Sequence, residues 1–380
     1  MLCFAIALCF AEMAALVPAN GAACAYAREA FGPFPGFLVG WVMWLSALVG
    51  GASVAVAFGS LAVEPLQAVG AMAGFGPLPP GALALGASTL LILVLAAANS
   101  RGATQGAASN NLLAMLKLVP LVAFTLWALP RVRLEALAGP VTAAPEPLAG
   151  FLLVLYTFSG FEDVPVPAGE TRDAGRTVPR ALALVLTLAA VLYAIIQAEV
   201  GSMGLAGSET PLSGAARGHG VMASLIGAGA LASVASVNAA IVFTGPRSLW
   251  VLAADGWVPA WLAALHPTTG VPLACLVVTT GLTLALVWSG TFEMLAVLAV
   301  LASLLQYLAA ILAVMWLRWS EPDRPRPVRI PGGLVIPAAA LAVCLLLLVT
   351  SEIQYLAGSA GAIALGAVLA LPRLRSRAGA

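Results

Sequence analysis

The chain has 380 residues, of which 62% are hydrophobic and only 9% are charged, and its mean hydropathy is +1.03. These values exclude a water-soluble globular protein and indicate a chain that resides in a lipid bilayer. The net charge of +1 points to no particular partner, and no nucleic acid is expected.

Apolar windows of about 20 residues, enough helix to cross about 30 Å of hydrocarbon, recur along the whole chain. The runs are continuous and rich in Leu and Ala, whereas the strands of a β-barrel alternate apolar and polar residues. The predicted fold class is therefore all-α, a polytopic membrane protein with about eleven transmembrane helices. These spans are residues 1–17, 36–62, 81–99, 110–129, 148–168, 180–201, 220–245, 272–289, 292–317, 333–350 and 355–371.

The first span starts at Met1 without a flanking loop, lacks the basic segment of a signal peptide and contains Glu12. We therefore expect further sequence upstream of Met1. Glu12 is expected to face the helix bundle or to approach Arg28. The five cysteines show no CxxC spacing and no neighbouring His or Asp cluster, so we interpret them as small buried residues and expect neither a metal nor another cofactor.

Basic residues are distributed very unevenly between the predicted loops. One set of alternate loops, together with Lys117 at the inner end of its helix, holds 14 of the 17 basic residues, and the other set holds only Arg131, Arg133 and Arg217. By the positive-inside rule the first set faces the cytoplasm. The C-terminus is therefore predicted to be cytoplasmic, and in a bacterium the membrane would be the inner, or plasma, membrane.

The span at 148–168 is interrupted within the sequence YTFSGFEDVPVPAGETRDAGRTVP, from Tyr156 to Pro179. Ser159 and Gly160 are followed by two carboxylates, two prolines and several arginines. Such a break frees backbone amides and carbonyls that hydrocarbon cannot satisfy, so it persists in a membrane only where it lines a cavity or a substrate. The pattern predicts a secondary transporter.

Three separated blocks resemble one transporter family. The string AEMAALVPANGAACAYAREAFGPFPGFLVGW is similar to the second helix and following loop of the amino acid–polyamine–organocation permeases. FSGFEDVPVPAGETRDAGRTVPRA is similar to their sixth helix, and NAAIVFTGPRSLWVLAADGWVPAWLAALHPTTGVP to their eighth. Weaker similarity to the tenth helix follows from Phe292 to Arg318, so the resemblance covers nearly the whole chain.

The resemblance implies a LeuT-like architecture, two inverted repeats of five helices plus two further helices. It assigns residues 1–129 to a remnant of the first repeat, 148–317 to the second repeat and 333–371 to the two additional helices, all within one membrane domain spanning 1–380. Counted back from the matched blocks, the first span corresponds to the family's second helix. The family's first helix, which supplies half of the substrate site, is therefore expected to be absent from this sequence.

The resemblance also implies a substrate site at the break, at Phe158, Ser159, Gly160, Phe161 and Glu162. Amides around Gly160 would receive a substrate carboxylate, and carbonyls near Phe158 and Ser159 would hold its ammonium group. The two phenylalanines would flank the pocket, and Glu162 would contribute to substrate selection. A packing contact at Gly160 and a solvated carboxylate at Glu162 stay open as alternatives. Glu170 is expected to contact Arg172 or Arg176.

Lys117 is the only lysine in the chain. Proton-coupled members of the family have a lysine in the corresponding helix, so the resemblance implies a proton-coupling role for Lys117. The alternative is a lysine that extends its ammonium group to the inner headgroups.

These observations predict secondary active transport of amino acids or related organic cations such as polyamines, by proton-coupled symport or by exchange. An enzyme is not expected, because both histidines lie in loops and no HExxH or GxSxG motif is present. A channel would need a symmetric filter. The remaining alternative is a non-transporting remnant, or a substrate-binding membrane protein, with the same fold. The sequence does not indicate an oligomeric state.

Overall fold

A computed structural model describes residues 2–74, 76, 78–133, 135, 157–205, 211–216, 218–289, 292–350 and 353–378. All regular secondary structure in these ranges is helical. The α-helices are α1 (Leu2–Leu16), α2 (Ala23–Phe31), α3 (Pro33–Met72), α4 (Pro80–Ser100), α5 (Ala103–Ala128), α6 (Ala174–Ser202), α7 (Pro211–Ala215), α8 (Gly220–Ala254), α9 (Leu273–Ser289), α10 (Phe292–Ser320), α11 (Val335–Val349) and α12 (Ile353–Ala378).

Ten of the eleven predicted spans coincide with one helix each, and the all-α prediction is confirmed. Within the described ranges, six helical segments are long and apolar enough to cross a membrane: 33–72, 80–100, 111–131, 174–202, 220–254 and 301–320. Shorter apolar helices correspond to the predicted spans at 1–17, 272–289, 333–350 and 355–371. The chain is therefore an integral membrane protein. Residues 148–156 of the predicted span at 148–168 lie outside the described residues.

Helices α3 and α8 are longer than their predicted spans, which end at 62 and 245. Helix α3 has 40 residues, about 60 Å at 1.5 Å per residue, so it extends well beyond about 30 Å of hydrocarbon. Helix α8 continues through Pro246 to Ala254. Proline removes one helical hydrogen bond, and the well-packed helix tolerates that single loss at Pro246.

The centre of the bundle is built on α3, which packs against α2, α4, α8, α9 and α10. Close approach depends on small residues at a few positions. A Cβ atom at Gly59 of α3, for example, would collide with the carbonyl oxygen of Ala84 in α4. The largest apolar core joins side chains of α1, α2, α3, α8 and α10, including the fully buried Phe10, Tyr26 and Tyr307. The predicted assignment of these helices to two inverted repeats stays a prediction.

Ion pairs join segments that the sequence analysis assigned to the cytoplasmic side. Arg28 at the end of α2 pairs with Asp255 after α8, at 2.5 Å. Arg324 pairs with Glu29 at 2.8 Å, and Arg373 of α12 donates to the carbonyl oxygen of Gly256 at 2.7 Å. These contacts bring the ends of α2, α8, α10 and α12 together.

Candidate functional site

A break in helical structure lies where the sequence analysis placed it. Thr157 and Phe158 are helical, Ser159 and Gly160 form a turn, and Phe161–Asp163 form one turn of 3-10 helix. Gly160 has φ of 102° and ψ of −11°, a left-handed conformation that strains any residue with a Cβ atom. The backbone turn at Gly160 therefore requires glycine.

The chain after the break does not resume an α-helix, in contrast to the helix predicted up to residue 168. Turns follow from Val164 to Pro167, and a second 3-10 turn covers Ala168–Glu170. Pro165 and Pro167 contribute to the difference, since neither has an N–H group to donate to a helical hydrogen bond. The segment reaches α6 through Asp173, which has φ of 50°.

The carboxylate of Glu162 folds back onto the break. Its Oε2 atom accepts a hydrogen bond from the backbone N–H of Gly160, at 2.8 Å. The side chain is almost fully buried, and the hydroxyl groups of Tyr307 and Ser303 lie close to it. In this conformation an internal carboxylate therefore occupies the amide, and the predicted substrate site at the break stays a prediction.

Aromatic side chains enclose the break on two sides. Phe161 is buried and stacks on Tyr307 of α10, with ring centroids 5.5 Å apart, and it meets the edge of Phe10 in α1 at 5.9 Å. Phe158 is half-buried and contacts Tyr193 of α6 edge-on at 5.3 Å. The two phenylalanines thus have separate partners. The sequence analysis missed these partners, since a single aromatic residue in an apolar helix gives no signal of its position around the bundle.

After the break, the chain forms hydrogen bonds with the loop that connects α1 and α2. The N–H group of Gly169 donates to the side-chain oxygen of Asn20 at 2.7 Å, and the N–H of Gly21 donates to the carbonyl of Val166 at 3.0 Å. Glu170 pairs with Arg247 of α8 at 3.2 Å. The expectation that Glu170 contacts Arg172 or Arg176 is wrong, because folding brings α8 nearer than its neighbours in sequence.

Glu12 lies in the bundle as expected, but with different partners. Its carboxylate is fully buried and accepts hydrogen bonds from Arg318 at 2.9 and 2.5 Å and from the backbone N–H of Ile330 at 2.9 Å. Arg326 lies 3.7 Å away. Of the two expected placements, the structure thus shows the one inside the bundle, and Arg28 is instead engaged by Asp255.

Lys117 lies on α5, one turn before Pro120, and its side chain is partly exposed. It makes no hydrogen bond or ion pair to any residue that the structure describes. Close packing of α5 on α8 occurs nearby, where a Cβ atom at Gly229 would lie 2.5 Å from Pro120. The structure therefore does not join Lys117 to the break by a direct contact.

Taken together, these features define a polytopic helical membrane protein with a glycine-dependent break after Phe158, beside which Phe161 and Glu162 are buried. The profile of the amino acid permease family matches residues 1–362. The chain belongs to this family, and this membership sets aside the enzyme alternative, as the sequence analysis expected.

Curated relatives carry several transporter names. The chain is 25% identical to the methylthioribose transporter of Bacillus subtilis over 284 residues, covering 71% of this chain and 61% of the relative. It is 25% identical to the branched-chain amino acid permease BcaP of B. subtilis over 374 residues, covering 91% and 77%. It is 27% identical to human cationic amino acid transporter 4 over 294 residues, covering 70% and 45%. The chain thus spans about three-fifths of the methylthioribose transporter.

Proposed function

We propose that the protein is a secondary transporter for amino acids or related organic cations, and that the segment Phe158 to Glu162 forms part of its substrate site. The observation that supports this most is the hydrogen bond from Gly160 N–H to the Glu162 carboxylate. It indicates that the amide has room and the orientation to hold a carboxylate. The names of the relatives, which include a branched-chain amino acid permease and a cationic amino acid transporter, support the substrate class.

The proposed binding step is an exchange of carboxylates. An amino acid places its own carboxylate on the Gly160 amide and displaces Glu162. The released Glu162 carboxylate then faces the substrate's ammonium group, together with carbonyl oxygens near Phe158 and Ser159. Such an exchange leaves no buried charge unpaired, which would otherwise cost several kcal/mol. Phe158 and Phe161 would contact the apolar part of the substrate.

Calorimetric binding of leucine and arginine to the purified protein tests this site. Gly160→Leu should abolish binding, because the side chain enters the open space beside the break where the substrate would lie. Gly204→Leu is the matched control: Gly204 also has positive φ and open space around it, but it lies in the loop after α6. Equal binding by the wild type and by Gly160→Leu would refute the site.

Polyamines are a separate part of the proposal, since they carry ammonium groups but no carboxylate. They would be held by Glu162 and by carbonyl groups alone. Glu162→Gln keeps an oxygen acceptor for the Gly160 amide but removes the charge, so it should weaken putrescine binding more than leucine binding. An equal effect on both ligands would argue against a direct contact between Glu162 and the ammonium group.

We further propose that transport is coupled to protons through Lys117, by symport or exchange. An ammonium group that loses and regains its proton within a span can link substrate movement to a proton gradient. Uptake should therefore rise with an inward proton gradient in the wild type and become independent of it in Lys117→Ala. Uptake that still follows the gradient in this variant would remove Lys117 from the coupling mechanism.

The proposed setting is the bacterial inner membrane, with the C-terminus in the cytoplasm. The uneven distribution of arginines and the contacts between predicted cytoplasmic segments support this orientation. A reporter that is active only in the cytoplasm, fused after residue 380, should be active. Binding without any uptake in vesicles would instead favour the alternative of a substrate-binding, non-transporting protein.

A further inference from the structure

Three arginines at the start of α6 lack partners within the described part of the protein. Arg172 precedes the helix by two residues, and Arg176 and Arg180 follow at intervals of four. All three are exposed, and none of their guanidinium groups forms a hydrogen bond or an ion pair with the residues that the structure describes. By contrast, Arg28 and Arg318 on the same predicted side are both paired.

Acidic groups near these arginines do not neutralise them. Glu170 is paired with Arg247, and Asp173 is exposed without an ion pair to any described residue. The first turn of α6 adds the positive end of a helix dipole. The start of α6 therefore carries exposed positive charge that can bind an anion from outside the protein.

An exposed apolar strip continues directly from the arginines along α6. Four-residue steps from Arg176 lead to Arg180, Leu184 and Leu188. Each step turns only about 40° around the helix, so successive members of this series are neighbours on its surface. Leu184 and Leu188 are 60% and 59% exposed. Each step rises about 6 Å, so Leu188 lies about 12 Å further along the helix than Arg180. Since α6 is long and apolar enough to cross a membrane, this exposed strip is available to lipid.

We propose that this surface, formed by Arg172, Arg176, Arg180, Leu184 and Leu188, binds an anionic phospholipid. The guanidinium groups hold the phosphate, for which their planar arrangement of donors is suited. An acyl chain lies along Leu184 and Leu188. A lipid fits better than a free phosphate ion, because the charged and apolar parts of the surface follow one another in the order of a headgroup and its acyl chain. The surface does not include the substrate segment at Phe158 to Glu162, so this inference is independent of transport.

Native mass spectrometry of the purified protein in a neutral detergent tests the inference. The protein is titrated with phosphatidylglycerol and, separately, with phosphatidylcholine of the same acyl chains. The test variant carries Arg172→Gln, Arg176→Gln and Arg180→Gln. The control variant carries Arg101→Gln, Arg133→Gln and Arg329→Gln, which removes three other arginines that are exposed and unpaired among the described residues.

The wild type and the control should prefer phosphatidylglycerol, and the test variant should lose this preference. Each basic side chain near an anionic surface strengthens binding about fivefold, so removal of three should weaken phosphatidylglycerol binding about a hundredfold. An unchanged preference in the test variant, or an equal loss in the control, would overturn the proposal. Displacement of the lipid by millimolar inorganic phosphate would also overturn it, since the surface would then be a simple anion site.

Discussion

The buried ion cluster around Glu12 gives the most direct test of how the bundle is held together. Glu12 is fully buried, and its partners Arg318 and Arg326 expose only 6% and 3% of their side chains. Glu12→Gln preserves the size of the side chain but leaves two buried guanidinium groups without a carboxylate. Removal of one partner from a buried ion pair typically costs about 3–5 kcal/mol, because the remaining charge stays desolvated.

For a protein of this size, each kcal/mol shifts the unfolding midpoint by about 2 °C, so Glu12→Gln should lower it by roughly 6–10 °C. The assay is size-exclusion chromatography after heating in detergent, with the folded fraction followed by tryptophan fluorescence. Arg324→Gln is the control: this arginine pairs with Glu29 and Glu321 at the surface, where an ion pair contributes at most about 1 kcal/mol. The double variant Glu12→Gln, Arg318→Gln should be more stable than the sum of its single effects predicts. A midpoint of Glu12→Gln within about 2 °C of the wild type would refute the reasoning.

Two further predictions concern packing and thiol chemistry. Gly59→Ala should destabilise the protein by about 1–3 kcal/mol, because its methyl group would collide with backbone atoms of Ala84. Gly86→Ala, where the added atom has open space, should be neutral in the same heating assay. Equal effects of the two substitutions would contradict the close approach of α3 and α4. Burial raises the pKa of the Cys24 thiol to about 12, so at pH 8 it stays protonated and should resist N-ethylmaleimide in the folded protein but react after denaturation in SDS. Rapid labelling of Cys24 in the folded protein, detected by peptide mass spectrometry, would contradict its burial in α2.

Hydrophobicity was sufficient to predict most of the helices, because a membrane span needs a long apolar run and little else. It failed at the ends of α3 and α8, where the helices continue past the predicted apolar spans through residues such as Glu64 and Arg247. Helix α2 was not predicted as an element, since its nine residues include Arg28 and Glu29 and are too short to span. Tertiary contacts with α3 and α10 stabilise it.

The break at Gly160 was predictable, because glycine and proline together in the middle of an apolar span interrupt its helix. The partners of the nearby carboxylates were not predictable. Arg247 lies 77 positions after Glu170, and Arg318 lies 306 positions after Glu12, so only the folded arrangement of the helices brings these charges together. The return of Glu162 to the Gly160 amide is local, but it depends on burial by Tyr307, which the sequence alone does not place.

In the proposed transport cycle, a substrate carboxylate replaces that of Glu162 on the Gly160 amide. Uptake of radiolabelled amino acids into proteoliposomes containing the full chain, in the presence of competing unlabelled compounds, tests it most directly. We expect saturable uptake of at least one amino acid, with competition by that amino acid and none by its carboxamide, which lacks the carboxylate. Uptake no greater than in empty liposomes for every amino acid, or equal competition by the carboxamide, would contradict this exchange of carboxylates.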